Sequence, residues 1–285
     1  MNTFSSPSAL ITSNPRPNYT RNASYILVLR EDRLMKAIYR GLGAEIARKF
    51  AAQGCNVAIN YANNAQPAHD LANELQSSFS GIKTTVIAGD AGKQADCRKC
   101  VDETISAFGG LDVVIANAGW TKFTDFTDLE AMTEDEWDKC WATNVKGPKF
   151  LLSAALPTFK ANADGGAMII TSSVAAQSLG GSSMAYSVTK AAQVHLMKCM
   201  AQTQGKMVRI NAVLPGLLLT DWGNMYGEER INAINDRAAL KKEVSGAVNS
   251  GCRGTFQVAT ADLVWCRLTW ATARKCSSRL RKILP

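Results

Sequence analysis

Residues 111–119 read Leu-Asp-Val-Val-Ile-Ala-Asn-Ala-Gly, and this stretch decides the fold class. Its first six residues include one polar side chain, that of Asp112, as expected for a strand that is covered on both faces. Helix-like and strand-like segments alternate along the chain on both sides of this stretch. Such alternation predicts an α/β protein with a doubly wound parallel sheet and helices on both faces.

The expected elements follow from the apolar periodicity and the turn residues. Helices are expected at 42–53, 68–79, 95–108, 132–159 and 185–204, and strands at 56–61, 84–88, 111–116, 167–171 and 208–213. The position of the first strand is left open by the sequence. Residues 30–33, Arg-Glu-Asp-Arg, suit a central strand poorly, and the apolar residues 26–29 lie several residues too far upstream of the next helix. We therefore expect a disordered segment at 1–24, a single domain at 25–243 and an atypical basic tail at 244–285.

The motif Tyr186-Ser-Val-Thr-Lys190 places a phenol and an ammonium four residues apart. On a helix this spacing puts both side chains on one face, one turn apart. The ammonium favours the phenolate, so a tyrosine of ordinary pKa, about 10, can exchange protons nearer neutral pH. Ser173 ends the run Met-Ile-Ile-Thr-Ser-Ser at 168–173, which is typical of a buried strand that passes into a loop, and it can hold a substrate oxygen facing that phenol. For the pair alone, a core tyrosine and a solvated lysine on an ordinary helix are the alternative.

Polar and turn residues follow four of the expected strands, and they are Asp90, Asn117, Ser173 and Pro215. In open parallel sheets, ligands bind in the crevice outside the carboxyl ends of the strands. These positions are therefore expected to converge on one crevice.

With Asn144 in Asn-Val-Lys-Gly, the order and spacing of these residues resemble the classical short-chain dehydrogenase/reductase family over residues 41–243. The resemblance implies a Rossmann-like fold and an oxidoreductase that transfers hydride between a nicotinamide and a ketone or secondary alcohol. It implies a catalytic tetrad, with Tyr186 as acid or base, Lys190 activating it, Ser173 orienting the substrate oxygen and Asn144 holding a relay water. Residues 60–63, Asn-Tyr-Ala-Asn, are similar to those of hydroxynaphthalene-reductase and polyketide-type ketoreductases.

The resemblance also implies a cofactor site, with Gly41-Leu42-Gly43 letting backbone N–H groups approach a pyrophosphate. The chain departs from the family where Lys36 and Ala37 replace the expected Thr and Gly. Arg40, and the lack of an acid at 59–64, indicate NADP(H) rather than NAD(H). The full set of implied cofactor residues is Arg40, Gly41, Leu42, Gly43, Asp90, Asn117, Ala118, Gly119, Tyr186, Lys190, Pro215, Gly216, Leu218 and Thr220.

The net charge of +8 is concentrated at the two ends of the chain. Residues 251–285 hold seven Lys and Arg against the single Asp262, and residues 1–43 hold six against two acids. The middle is close to neutral, so a nucleic-acid role is not expected, and no apolar run is long enough to cross a membrane. Eight cysteines without a disulfide framework and no secretory signal favour the cytoplasm. Import into an organelle is the alternative localisation.

Cys97 and Cys100 form a close pair, but no second pair is present to complete a metal site with them.

Residues 244–285 do not resemble the usual family ending. We expect them to cover the edge of the sheet poorly, so that a homodimer is possible and a tetramer is doubtful. A divergent functional tail and an altered reading of the gene are both open explanations. The leading function is an NADP(H)-dependent ketoreductase acting on a small carbonyl or alcohol substrate, without a metal. The alternative is a pseudoenzyme or interaction module that has kept the fold and binds the cofactor weakly.

Overall fold

The computed structural model describes residues 24–28, 41–219, 223, 225–237, 244–245, 256–259 and 265–268. Ten strands lie in these residues. They are β1 Ser24–Val28, β2 Asn56–Tyr61, β3 Thr84–Ala88, β4 Val113–Ala116, β5 Gly166–Thr171, β6 Val208–Pro215, β7 Leu218–Leu219, β8 Val244–Ser245, β9 Phe256–Ala259 and β10 Trp265–Leu268. The helices are α1 Leu42–Ala51, α2 Gln66–Ser78, α3 Gln94–Phe108, α4 Glu134–Trp141, α5 Gly147–Ala161, α6 Met184–Gln204 and α7 Glu228–Arg237.

Eight of these strands form one sheet in the order β10-β9-β6-β5-β4-β1-β2-β3, in which β1 to β6 are parallel. The strand order turns back between β1 and β4, where two halves of the sheet meet. This arrangement confirms the predicted α/β class with a Rossmann-like doubly wound sheet. The crevice at such a reversal point, outside the carboxyl ends of the strands, is the expected ligand site.

The faces of the sheet are covered because successive strand residues point to opposite sides. On β4, Val113 and Ile115 pack in one apolar cluster with α1 and α2. Val114 and Ala116 pack in a second cluster with α3, α5 and α6. All four residues are buried, which explains the nearly continuous apolar run in the sequence.

The central strand β1 comes from the upstream apolar segment. Ile26 is in register with Ala58 of β2 and with Val114 of β4. The charged segment at 30–33, the other candidate for this strand, lies outside the described residues. An apolar segment suits the central position because charged side chains would lose their hydration where helices cover both faces of the sheet.

The C-terminal segment extends the sheet. Strand β9 pairs antiparallel with β6, with Val258 opposite Val213, and β10 pairs antiparallel with β9. The expectation that this segment covers the sheet edge poorly is wrong for residues 256–259 and 265–268. A short strand can satisfy an exposed edge through backbone hydrogen bonds, with little demand on its side chains.

The helical stretch predicted at 132–159 is divided into three parts. Thr133 caps α4 through a capping box in which its Oγ1 accepts the Glu136 N–H and the Glu136 carboxylate accepts the Thr133 N–H. A π-helical turn, Ala142–Lys146, then separates α4 from α5. Such turns are rare and often occur at functional sites. Among the helices of the described residues, none combines the length and apolar character needed to span a membrane.

Candidate active site

The four residues of the predicted tetrad lie on three elements around the carboxyl ends of β4 and β5. Asn144 lies in the π-helical turn, and Ser173 lies two residues after the end of β5 and caps a short 3-10 helix, Val174–Ala176. Tyr186 and Lys190 occupy the first two turns of α6. Tyr186 is 6 % exposed, Lys190 is 2 % exposed and Asn144 is fully buried.

The Lys190 ammonium is held in place by neutral acceptors. Its Nζ donates to the Thr171 carbonyl oxygen at 2.7 Å and to the Gln193 Oε1 at 3.2 Å. The same nitrogen lies 5.4 Å from the centroid of the Tyr186 ring. Because charges interact more strongly where water is excluded, this ammonium exerts a strong field on the neighbouring phenol.

The side chain of Asn144 is fixed by the loop after β4. Its Oδ1 accepts the Trp120 N–H at 2.7 Å, and its Nδ2 donates to the Trp120 carbonyl oxygen at 3.0 Å. The same Nδ2 lies 2.9 Å from Thr189 Oγ1 on α6. The main-chain carbonyl oxygen of Asn144 accepts the Gln193 Nε2 at 2.8 Å. Asn144 therefore joins the π-helical turn to both the β4 loop and α6.

Ser173 and Tyr186 are positioned by local caps. Ser173 Oγ accepts the Ala175 N–H at 3.1 Å, which starts the 3-10 helix. Ser187, next to Tyr186, donates its Oγ–H to the Ala175 carbonyl oxygen at 2.8 Å and ties that helix to α6. Ser183 caps α6 by accepting the Tyr186 N–H at 3.2 Å. Both predicted residues thus belong to one hydrogen-bonded unit at the carboxyl end of β5.

A group of buried hydroxyls supports the start of α6. Thr121 Oγ1, on the loop after β4, lies 3.0 Å from Ser183 Oγ and accepts from Ser182 Oγ at 2.8 Å. The three side chains are almost completely buried. They fix the cap of the helix that carries Tyr186 and Lys190 against the β4 loop, which also contacts Asn144.

A cleft with an empty volume of about 450 Å³ lies beside this cluster. Its lining includes Asn60, Ala62, Asn63, Asp90, Gly119 and Lys139. A Cβ on Gly119 would lie 3.5 Å from both Asn144 Oδ1 and Lys190 Nζ, at ordinary van der Waals distance, so Gly119 lies between the cleft and these two side chains. Asp90 Oδ1 accepts the Gly92 N–H at 2.8 Å and shapes the turn after β3.

The other predicted cofactor residues are distributed around the same edge. Gly41 precedes α1, Leu42 and Gly43 open it, and Asn117 and Ala118 directly follow β4. Pro215 ends β6, Gly216 follows it, and Leu218 begins β7. Arg40 and Thr220, which were also predicted, lie outside the described residues.

The comparisons with known proteins agree with this geometry. The family model described as Enoyl-(Acyl carrier protein) reductase matches residues 37–248, well over half of the chain.

The chain belongs to the classical short-chain dehydrogenase/reductase family.

Two curated relatives of this short-chain dehydrogenase/reductase are reductases by name. It is 29 % identical over 215 residues to the 3-oxoacyl-(acyl-carrier-protein) reductase of Staphylococcus epidermidis, covering 75 % of this chain and 86 % of that protein. It is 34 % identical over 184 residues to the versicolorin reductase of Emericella nidulans, covering 64 % and 67 %. A short-chain dehydrogenase from Burkholderia cenocepacia, solved in complex with NADP, superposes with a TM-score of 0.68 at 26 % identity, covering 79 % of this chain and 85 % of that chain.

The paired thiols of this short-chain dehydrogenase/reductase, Cys97 and Cys100, are buried and weakly acidic. Burial raises the pKa of Cys97 to about 12, with further contributions from Asp96 and Asp90. Burial also raises the pKa of Cys100 to about 12. Because the thiolate is the reactive form, both groups are inert near neutral pH.

Sequence reasoning missed three participants in the site: Thr171, Trp120 and Gln193. Thr171 and Trp120 act through backbone atoms, so their residue types do not indicate these contacts. Gln193 carries a signal, because it is a polar residue three positions after Lys190 on the same face of α6 and is fully buried.

Proposed function

We propose that this protein is an NADP(H)-dependent oxidoreductase that interconverts a ketone and a secondary alcohol. The observation that carries the proposal is the buried Lys190 ammonium, held 5.4 Å from the Tyr186 ring centroid beside an open cleft. A fixed cation beside a phenol stabilises the phenolate and makes the tyrosine an effective acid and base.

In this proposal Tyr186 gives a proton to the substrate oxygen during ketone reduction and takes it back during alcohol oxidation. Ser173 Oγ accepts the Ala175 N–H, and its own hydroxyl hydrogen serves to orient the substrate oxygen. Asn144 holds the β4 loop and the π-helical turn at fixed positions relative to Lys190. Positioning of this kind lowers the barrier because the reacting groups are aligned before the reaction begins.

The residues of the cleft fit a dinucleotide. Gly119 leaves room beside Lys190, and the start of α1 at Gly41 offers backbone N–H groups to a pyrophosphate. When bound, NADP(H) supplies or accepts the hydride. Asp90, Asn117, Ala118 and Gly119 would hold its adenosine side, and Pro215, Gly216 and Leu218 would hold its nicotinamide side.

A preference for NADP(H) is supported by the neutral end of β2. Asn60 is buried, and its Nδ2 donates to the Ile87 and Gly89 carbonyl oxygens at 3.1 and 3.0 Å. Ala62 and Asn63, which line the cleft, carry no charge that would repel a 2′-phosphate. The relative solved with NADP gives independent support.

An aromatic pair, Phe123 and Tyr226, supports an apolar, ring-containing substrate of biosynthetic type. Tyr226 lies in the segment after β7, and its ring meets that of Phe123, on the β4 loop, edge to face with centroids 5.0 Å apart. Met225 beside it is exposed. Aromatic walls bind flat apolar ligands well. The name of the 3-oxoacyl-(acyl-carrier-protein) reductase supports a ketone of the 3-oxoacyl type as substrate.

The proposal is tested by titrating the purified protein with NADPH and NADH, and by following NADPH consumption with a panel of ketones. The panel contains β-ketoacyl thioesters, fused aromatic ketones and simple aliphatic ketones. We expect NADPH to bind with a dissociation constant in the micromolar range, and the fused aromatic ketones to be turned over fastest. Absence of NADPH binding up to millimolar concentration would contradict the proposal and favour an interaction module that has kept the fold.

A further inference from the structure

Gln193 joins the two parts of the candidate active site that carry Lys190 and Asn144. Its side chain is fully buried on α6. Its Oε1 accepts from Lys190 Nζ at 3.2 Å, and its Nε2 donates to the Asn144 carbonyl oxygen at 2.8 Å. One side chain therefore links the ammonium to the π-helical turn.

The chemistry of the two partners requires an amide at this position. An ammonium can only donate, and a backbone carbonyl can only accept, so the linking group must accept at one end and donate at the other. The two partners also fix the orientation of the amide, because the flipped form would face donor with donor and acceptor with acceptor. A methionine of similar length offers neither bond, and a glutamate offers an acceptor to both partners and adds a charge.

We propose that Gln193 is a positioning residue that keeps the Lys190 ammonium directed at Tyr186 and holds Asn144 in register with α6. The inference rests on the proposed function. Without the Gln193 contact, the hydrogen bond from Nζ to the Thr171 carbonyl oxygen would remain, and the ammonium would be held less tightly. A less constrained ammonium stabilises the phenolate less well, since the energy of interaction falls with distance.

The surroundings of Lys190 indicate how the effect of its charge on Tyr186 can be tested. Two neutral groups contact Nζ, the Thr171 carbonyl on β5 and the Gln193 amide on α6. Among the described residues, the titratable groups near this region include the Tyr186 phenol on α6 and the buried Cys140 thiol on α4, whose sulfur lies 3.2 Å from Asn144 Nδ2. A carboxylate introduced at position 193 would therefore place a negative charge directly against the ammonium.

The experiment compares Gln193→Glu and Gln193→Met with Gln202→Glu and Gln202→Met, matched controls at an exposed position of the same helix. For Gln193→Met we expect kcat for ketone reduction to fall about tenfold or more, with KM and NADPH affinity changed by less than about threefold. For Gln193→Glu we expect the acid limb of the pH profile for alcohol oxidation to move up by about one pH unit. The Gln202 variants should match the wild type in both measurements.

A Gln193→Glu variant that folds and keeps the wild-type pH profile and kcat would overturn the inference, since a purely structural role would lower only the melting temperature. If Gln193→Met does not fold, Gln193→Glu decides, because it keeps the size of the side chain and the contact with Lys190. Absence of NADPH-dependent turnover in the wild type would overturn the proposed function together with the inference. Wild-type turnover with an unchanged Gln193→Glu profile would overturn the role of Gln193 alone.

Discussion

Gly147 lies so close to Ala91 that a Cβ on the glycine would be 2.5 Å from the Ala91 carbonyl oxygen. Gly147 begins α5 directly after the turn that holds Asn144, and Ala91 follows Asp90 in the wall of the cleft. This close contact links the geometry of the π-helical turn to the proposed cofactor site.

Substituting Gly147→Ala should therefore destabilise the protein and weaken NADPH binding together. Overpacking against a backbone atom costs about 1–3 kcal/mol, and relief of the clash displaces the loop that carries Asp90. Thermal unfolding and an NADPH titration measure the two effects. The matched control is Gly110→Ala, where an added Cβ meets open space. Unchanged NADPH affinity in a destabilised Gly147→Ala protein would show that the turn and the cleft are independent.

Two residues at the end of β2 are expected to have different roles: Asn60 stabilises the fold, and the position of Ala62 can select the cofactor. Asn60→Asp would replace two hydrogen bonds to the Ile87 and Gly89 carbonyl oxygens with repulsion. It should lower the free energy of unfolding by about 1–3 kcal/mol. Ala62→Asp, at an exposed position on the cleft, should leave stability unchanged and weaken NADPH binding about tenfold more than NADH binding. Equal losses for both cofactors in Ala62→Asp would place the 2′-phosphate elsewhere.

The buried thiols should be protected from alkylation in the native state. Burial raises the pKa of Cys97 and Cys100 to about 12, whereas Cys199 is exposed on α6. Iodoacetamide at mildly alkaline pH, followed by peptide mass spectrometry, should label Cys199 well before Cys97 or Cys100. Labelling of the pair at the same rate as Cys199 in the folded protein would contradict their burial.

These two thiols also give stability a pH dependence whose sign is fixed. Because their folded pKa lies above the ordinary value of about 8.5, the unfolded chain loses these protons first as the pH rises. Their contribution to the free energy of unfolding is fully present below about pH 8.5. It is lost as the pH rises toward the folded pKa of about 12. Urea unfolding of Cys97→Ala/Cys100→Ala should show a smaller loss of stability over that interval than the wild type.

The C-terminal strands should protect the edge of β6. A chain that ends at residue 250 lacks β9 and exposes the backbone of β6, so it should be less stable and should self-associate. A chain that ends at residue 270 keeps β9 and β10 and is the matched control. Thermal unfolding and light scattering compare the two. Equal behaviour of both truncated chains would mean that β9 contributes nothing to the edge in solution.

The parts of the fold that depend on local pattern could be predicted from the sequence. The bounds expected for β2 and β3 agree with the structure, because short apolar runs there stand between clear turn residues. The division of 132–159 by a π-helical turn could not be predicted, since the turn is held by bonds from Asn144 to Trp120, 24 residues away. The pairing of β9 with β6 was missed for a similar reason, because backbone hydrogen bonds can pair four-residue strands of little periodicity.

The candidate site divides in the same way. Side chains with a recognisable chemical type and spacing, Ser173, Tyr186 and Lys190, could be selected from the sequence, and the structure brings them to one edge of the sheet. The role of Gln193 could not, because its partner Asn144 is 49 residues away and the bond uses a main-chain oxygen. Residue type alone predicts what a group can do, and long-range packing decides which group it meets.

The central claim, that Tyr186 is the acid and base of a reductase, is tested most directly by Tyr186→Phe. The substitution keeps the buried ring and removes only the hydroxyl, so the fold and the NADPH dissociation constant should change little. With the best ketone from the panel, kcat should fall by about 100-fold or more, as expected when a general acid is lost. Retention of most of the wild-type turnover by the folded Tyr186→Phe protein would contradict the account.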